Sequence, residues 1–274
     1  MPAQTIPIFV INLARSVERR AAIERHLRGL GLEFKVIDAV DARTLSPDVL
    51  RTIAGPETIP VGQVACSLSH LSVYERVVSL RIPVACVLED DGRLLPPAIG
   101  LLRSGCATAD FDVCLLDSAD RNHRGVVCFD PDSKVTLAPG IDTYELSDGP
   151  FCLHAYLISL SGAQKRAGQV VPVREAIDRY DFGARPLTFR AVLHPRIAFL
   201  SILSRASFAL DSARRPAISW YRLRGLPGYY PLRDLVKGAR WRRWREVREK
   251  QAAGDLSTTR RWQPLSGGAR ILPE

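Results

Sequence analysis

No Cys-x-x-Cys pair, no Gly-x-Gly-x-x-Gly and no apolar run long enough to cross a bilayer occurs in this chain of 274 residues. The first absence argues against a structural zinc site, whose ligands come closely spaced. The cysteines Cys66, Cys86, Cys106, Cys114, Cys128 and Cys152 lie mostly inside apolar runs and read as buried free thiols of a reducing compartment. The second absence excludes the dinucleotide-binding fingerprint. The third, with no basic segment ahead of Pro7, predicts neither a membrane span nor a secretory signal and places the protein in the cytoplasm. RNP, KH and zinc-finger patterns are also missing, so no nucleic-acid partner is expected, although the formal charge of +9 leaves nucleic-acid binding through a basic C-terminal tail as an alternative.

What is present suits one sizeable α/β domain. Pro7–Leu13 is a β-rich apolar run. Ser16 stands as a cap before a helix with Val17, Ile23, Leu27 and Leu30 on one face, ended by Gly29 and Gly31. Glu33–Asp38 alternates as a second strand, so the chain opens β-α-β, the start of a doubly wound, mostly parallel sheet. Helices are predicted over 46–53, 62–80, from Pro96 through Leu102, and over 161–170. Strands are predicted over 84–88, 111–116 and 151–159, with a small hairpin over 126–138.

Three consecutive carboxylates, Glu89-Asp90-Asp91, follow the clearest buried strand, Val84–Leu88. They repel one another and sit at the carboxyl end of a strand, where open α/β sheets place ligands. A hard divalent cation with oxygen ligands would hold them together and would neutralise a diphosphate leaving group. A solvated acidic turn is the other reading.

Further segments flank the triplet: Val10-Ile11-Asn12-Leu13-Ala14-Arg15-Ser16-Val17-Glu18-Arg19-Arg20, Phe34–Asp41, and Gly62-Gln63-Val64-Ala65-Cys66-Ser67-Leu68-Ser69-His70. In this order and spacing they resemble glycosyltransferase family 25, the lipooligosaccharide galactosyltransferase family. The likeness is strong over residues 7–95 and continues weakly through Phe111–Leu116 and Ala155–Ser159 to the helix with Gly162 and Ala163. Gln63, Ala65 and Cys152-Leu153-His154 depart from the family pattern, which bears on sugar and acceptor choice more than on reaction class.

The resemblance implies a GT-A-like fold, a UDP-sugar donor, Mn²⁺ or Mg²⁺, and inverting transfer of a hexose, galactose first, to a glycan or glycolipid acceptor. Asn12, Arg15 and Arg19 would lie near the donor nucleotide and its phosphates, and Asp38 and Asp41 near the base or ribose. Ser69 and His70 match the family's Ser-His pair. Asp91 would ligate the metal, with Glu89 beside it facing the ribose, and Asp90 completes the triplet. Asp178, with Asp181 as its neighbour, is the candidate base, and His154 and His194 are possible extra ligands. His70 reads equally as a core-edge histidine, and Asp178 as an acid ion-paired with Arg174 or Arg179.

Composition changes after residue 211. From Arg214 to Lys250 twelve Lys/Arg face three acids, an excess equal to the charge of the whole chain. Residues 1–210 are therefore read as the transferase domain and 211–274 as a basic helical extension. Trp241, Trp244 and Val247 fall on one helical stripe among arginines, a pattern suited to an anionic inner-membrane surface or to packing back on the domain.

Overall fold

A computed structural model describes residues 6–54, 59–106, 110–117, 128–148, 153–178, 187–195, 197–201 and 263–264. The opening is β1 (Ile8–Asn12), α1 (Val17–Gly29) and β2 (Lys35–Asp38). Every residue of β1 is buried, as a strand covered on both faces requires. The inner face of α1 is carried by Ile23 and Leu27; Val17, expected there, is 67% exposed. Ser16 occupies the N-cap but makes no side-chain cap bond, and Gly31 turns the chain away at φ +64.

Next come α2 (Pro47–Ala54), α3 (Val61–Ser79), β3 (Val84–Glu89), β4 (Gly92–Leu94), α4 (Pro97–Ser104) and β5 (Val113–Leu115). The remaining elements are β6 (Cys128–Phe129), β7 (Val135–Ala138), β8 (Ile141–Asp148), β9 (Ala155–Ser159), α5 (Leu160–Val170), β10 (Phe189–His194), β11 (Ala198–Leu200) and β12 (Gln263–Pro264).

The main sheet runs β12-β6-β8-β10-β5-β9-β3-β1-β2, with β7 also on β8, and β11 pairs separately with β4. Period-two alternation splits its core between two faces. Ile8, Val10, Cys86, Leu88 and Leu157 pack with Ile23 and Leu27 of α1 and Leu101 and Leu102 of α4. Phe9, Ile11, Ala85, Val87, Tyr156 and Ile158 pack with Val73, Tyr74 and Val77 of α3 and Ala163 of α5.

The sheet is mixed, which corrects the expectation of a mostly parallel one. β1 is parallel to β2 and β3, and β10 to β5. β9 is antiparallel to both β3 and β5, and β8 is antiparallel to β10. A fully buried apolar run such as Ala155–Ser159 looks the same in either direction, so hydrophobicity alone does not reveal its polarity. The expected hairpin over 126–138 also does not form as such: β6 and β7 each pair with β8, not with one another. The extension over 211–274, with Trp241, Trp244 and Val247, lies outside the described residues apart from β12, as do Cys152 and Asp181; of His194 only the backbone in β10 is described.

Two features lock β5, β9, β10 and α5 together. The Asp112 carboxylate is buried and accepts from Ser161 Oγ at 3.0 Å, Lys165 Nζ at 2.7 Å and the Thr188 backbone N–H at 2.8 Å. Gly162, in the first turn of α5, sits so close that an added Cβ would lie 2.0 Å from the Asp112 carbonyl oxygen. The obstacle is backbone and cannot rotate away. Gly162→Ala is therefore expected to cost about 3 kcal/mol or more, read as a lowered urea midpoint. An unchanged midpoint would show that α5 is not seated this closely.

Candidate functional site

The register of the three parallel strands places Asn12 opposite Asp38 and Ile11 opposite Glu89. The carboxyl ends of β2, β1 and β3 therefore open at one edge. The Asp90-Asp91 turn leaves β3 there, and Gly92 starts β4. A Cβ on Gly92 would meet the His154 carbonyl oxygen at 2.3 Å, so the turn lies directly against the lead-in to β9. The same carbonyl accepts the Glu89 backbone N–H at 3.0 Å.

Arg19, in the first turns of α1, reaches back over this turn. Its guanidinium donates to Asp90 Oδ1 and lies 3.1 Å from Asp91 Oδ2. Asn12 Nδ2 donates to Asp90 Oδ2 at 2.7 Å. One cation and one amide thus hold two buried acids in place. Arg93 adds donors from below, from Nη1 to the carbonyls of Asp90 at 2.9 Å and Gly92 at 2.8 Å.

His70 is fully buried on α3. Its Nε2 lies 3.3 Å from Glu89 Oε1 and its Nδ1 2.8 Å from Tyr156 Oη, which donates onward to Tyr74 Oη at 3.2 Å. Ser69 faces inward: Oγ donates to the Ala65 carbonyl at 2.7 Å and accepts the Val40 N–H at 2.9 Å. Its work here is to tie the chain after β2 to α3. Arg15 pairs with Asp41 at 2.7 Å on the surface, and Asp41 caps the 3₁₀ turn Ala42–Thr44. The Arg43 backbone N–H, and then Arg15, hold the Asp41 carboxyl below the usual range. Asp38 is 74% exposed at the rim, 3.8 Å from Arg20.

Burial dominates the acids' energetics. It raises Asp90 against the pull of Arg19. Burial, followed by the Glu89 charge, pushes Asp91 up to about 7, against Arg19. Burial would raise Glu89 as well, but the hydrogen bond and charge of His70, aided by His154 and Arg19, leave it below the ordinary value. Asp91 Oδ1 and Asn12 Oδ1 are buried without a hydrogen-bond partner. Unused hard oxygen donors beside an ionised Glu89 fit a divalent cation, which Asp91 and Glu89 could hold.

Asp178 stands half-buried in the turn after α5, which is fixed by Arg166 Nη2 donating to the Ile177 carbonyl at 3.1 Å. Its charge acts on the Cys66 thiol, as do those of Glu89 and Asp91. His154 is buried, with Nε2 3.0 Å from Asp117 Oδ2 and Nδ1 unpartnered. Asp117, Tyr74, Tyr156, Arg93 and Cys66 were not singled out from sequence as site residues. For Tyr156 and Cys66 a signal existed, since Cys66 lies in the quoted segment that carries His70 and Tyr156 in Ala155–Ser159.

An α/β domain whose parallel strands end together on an acidic turn is of the class that places its ligands at the carboxyl edge of the sheet. Comparison with known proteins makes the class specific. The model of glycosyltransferase family 25 (LPS biosynthesis protein) matches residues 5–180, and the chain belongs to this family. Similar proteins include a glycosyltransferase 25 family member of Aedes aegypti, 30% identical over 187 residues, covering 62% of this chain and 30% of the relative. Procollagen galactosyltransferase 1-B of Xenopus laevis is 29% identical over 185 residues, covering 61% and 30% respectively. An inactive glycosyltransferase 25 family member 3 of Mus musculus is 30% identical over 170 residues, covering 58% and 28%. The match thus spans less than a third of these relatives' length.

The raised Asp91 makes a signed prediction for protein kept metal-free with chelator. A carboxyl that is harder to ionise folded than unfolded costs stability as pH rises from about 4 through 7, and the cost is constant above that. Asp91→Asn removes it. The variant should melt above wild type at pH 8, with the gain shrinking to nothing near pH 4. An equal or lower melting temperature at pH 8 would mean that Arg19 already compensates the charge.

Proposed function

We propose that this chain transfers a hexose, galactose from UDP-galactose, with inversion onto a hydroxyl of a cell-envelope glycan such as lipooligosaccharide. The observation that carries the reading is the coincidence of the family match with the buried Asp90-Asp91 pair and the half-buried Glu89 at the carboxyl edge of β1–β3. Relatives with procollagen galactosyltransferase names support galactose as the sugar. The domain is read as GT-A-like.

On this reading the diphosphate lies over the Asp90-Asp91 turn, with Arg15 near its charge and Asp38 and Asp41 at the nucleoside end. Asp91 and Glu89 would hold a divalent cation, Mn²⁺ or Mg²⁺, which would supply positive charge to a departing diphosphate. Arg19 keeps Asp90 and Asp91 in place. Asp178 takes the proton of the acceptor hydroxyl as its oxygen bonds to the anomeric carbon and the bond to the phosphate oxygen breaks. The basic segment 214–250 is read as holding the protein at an anionic inner-membrane face, on the cytoplasmic side.

A second reading is a binding protein that keeps the fold without turnover. It is favoured by the inactive relative at 30% identity and by the engagement of both Asp90 and Asp91 with Arg19.

Calorimetric titration with nucleoside diphosphates, with and without Mn²⁺, tests the donor site. UDP should bind only with metal, and Asp91→Ala should abolish binding. No nucleotide binding by folded protein would overturn the transferase reading. Asp178→Asn should lower kcat by a factor of about 100 or more with donor Kd unchanged. UDP binding without turnover of any UDP-hexose would favour the second reading. Flotation on vesicles tests the membrane assignment: equal recovery with neutral and anionic lipid would remove it.

A further inference from the structure

Cys66 and His70 stand four residues apart on α3 and so share a face, and β3 brings Glu89 to the same point. Cys66 Sγ, a ring nitrogen of His70 and a carboxylate oxygen of Glu89 all lie within 4.8 Å of one another. A tetrahedral cation about 2.0–2.3 Å from each ligand separates neighbouring ligand atoms by roughly 3.3–3.8 Å. The His70–Glu89 edge, at 3.3 Å, already has that length.

The hydrogen bonds behind the ring decide what faces Glu89. Tyr156 Oη donates to Tyr74 Oη and so accepts from His70 Nδ1. The tautomer assigned from this network carries its proton on Nδ1, and a neutral ring then turns the Nε2 lone pair toward a carboxylate oxygen. Two lone pairs at that distance need a positive centre between them. A metal ion at this point meets the need and recruits the thiol. A ring nitrogen fixed by a hydrogen bond on its other side is how metal-binding histidines are oriented. The Glu89 side chain is 32% exposed, which gives a cation a way in.

We propose that Cys66, His70 and Glu89 form a binding site for a borderline-soft divalent cation of the Zn²⁺ type, three protein ligands with the fourth position open to solvent or ligand. Its donor set differs from the all-oxygen set suited to Mn²⁺ at Asp91. Binding displaces the thiol proton, so the ion enters as thiolate, imidazole and carboxylate complete its shell. The spacing of cysteines along the chain gives no hint of such a site, because the two other ligands are not cysteines. Zn²⁺ here would also occupy Glu89; that consequence for donor binding rests on the transferase reading, whereas the site itself does not.

Cobalt(II) is the probe. Full-length protein is stripped with chelator and titrated with Co²⁺, recording the near-ultraviolet thiolate-to-metal charge-transfer band and the visible bands of tetrahedral cobalt. Wild type should develop both, saturating at one equivalent of thiolate-bound metal, and Zn²⁺ should bleach them. Cys66→Ser should lose the charge-transfer band, while Asp91→Asn should retain it. Absence of a thiolate band in folded wild type would overturn the proposal without recourse to any variant. So would a band that survives in Cys66→Ser, or one that follows any of the other five cysteines instead. Failure of UDP to bind, with the cobalt bands intact, would sink the transferase reading and leave this site standing.

Discussion

The Arg19 guanidinium against Asp90 and Asp91 is the interaction on which the site's form depends. Two adjacent carboxylates, each almost fully buried, would repel one another and lose their hydration together. One guanidinium and the Asn12 amide make the burial tolerable. The consequence reaches through the fold: α1 must start immediately after β1, so that its first turns overhang the β3–β4 turn, and Gly92 must let that turn settle against the carbonyl of His154. The opening β-α-β unit is thus also the electrostatic support of the acids.

Compensation is incomplete. Asp91 stays hard to ionise, Glu89 does not, and oxygen lone pairs on Asp91 and Asn12 are left unused. A site held in this condition gains from a cation or an anion–cation pair placed upon it. His70 divides the region: the Arg19 side is all oxygen and guanidinium, while the Cys66 side combines thiol, imidazole and phenol.

Much of this was legible in the sequence, for identifiable reasons. β3 announces itself as five apolar residues broken by acids, and α1 and α3 by their spacing of buried side chains. β8 has no counterpart among the expected strands: Ile141, Thr143 and Leu146 are buried in it, but Asp142, Glu145 and Asp148 interrupt any apolar run. β4 and β11, of three residues each, are too short to carry a period. Within the site, the triplet and the Ser-His pair were found by motif, but their partners were not. Nothing local to Arg19 says that it turns to an acid seventy-one residues away, and nothing local to Ser69 says that it faces the Val40 amide. The four-residue spacing of Cys66 and His70 was visible, yet the third corner of that triangle comes from β3, which only tertiary structure supplies.

The placement of β9 has a mechanical meaning. It is hydrogen-bonded along both edges, to β3 and β5, and buried on both faces. Such a strand cannot slide against one neighbour without breaking its ladder with the other as well. Tyr156, and His154 just ahead of it, therefore keep a constant phase relative to Glu89 and Asp117. The sheet edge behaves as a rigid jig, and whatever binds there meets side chains held in fixed relation to one another.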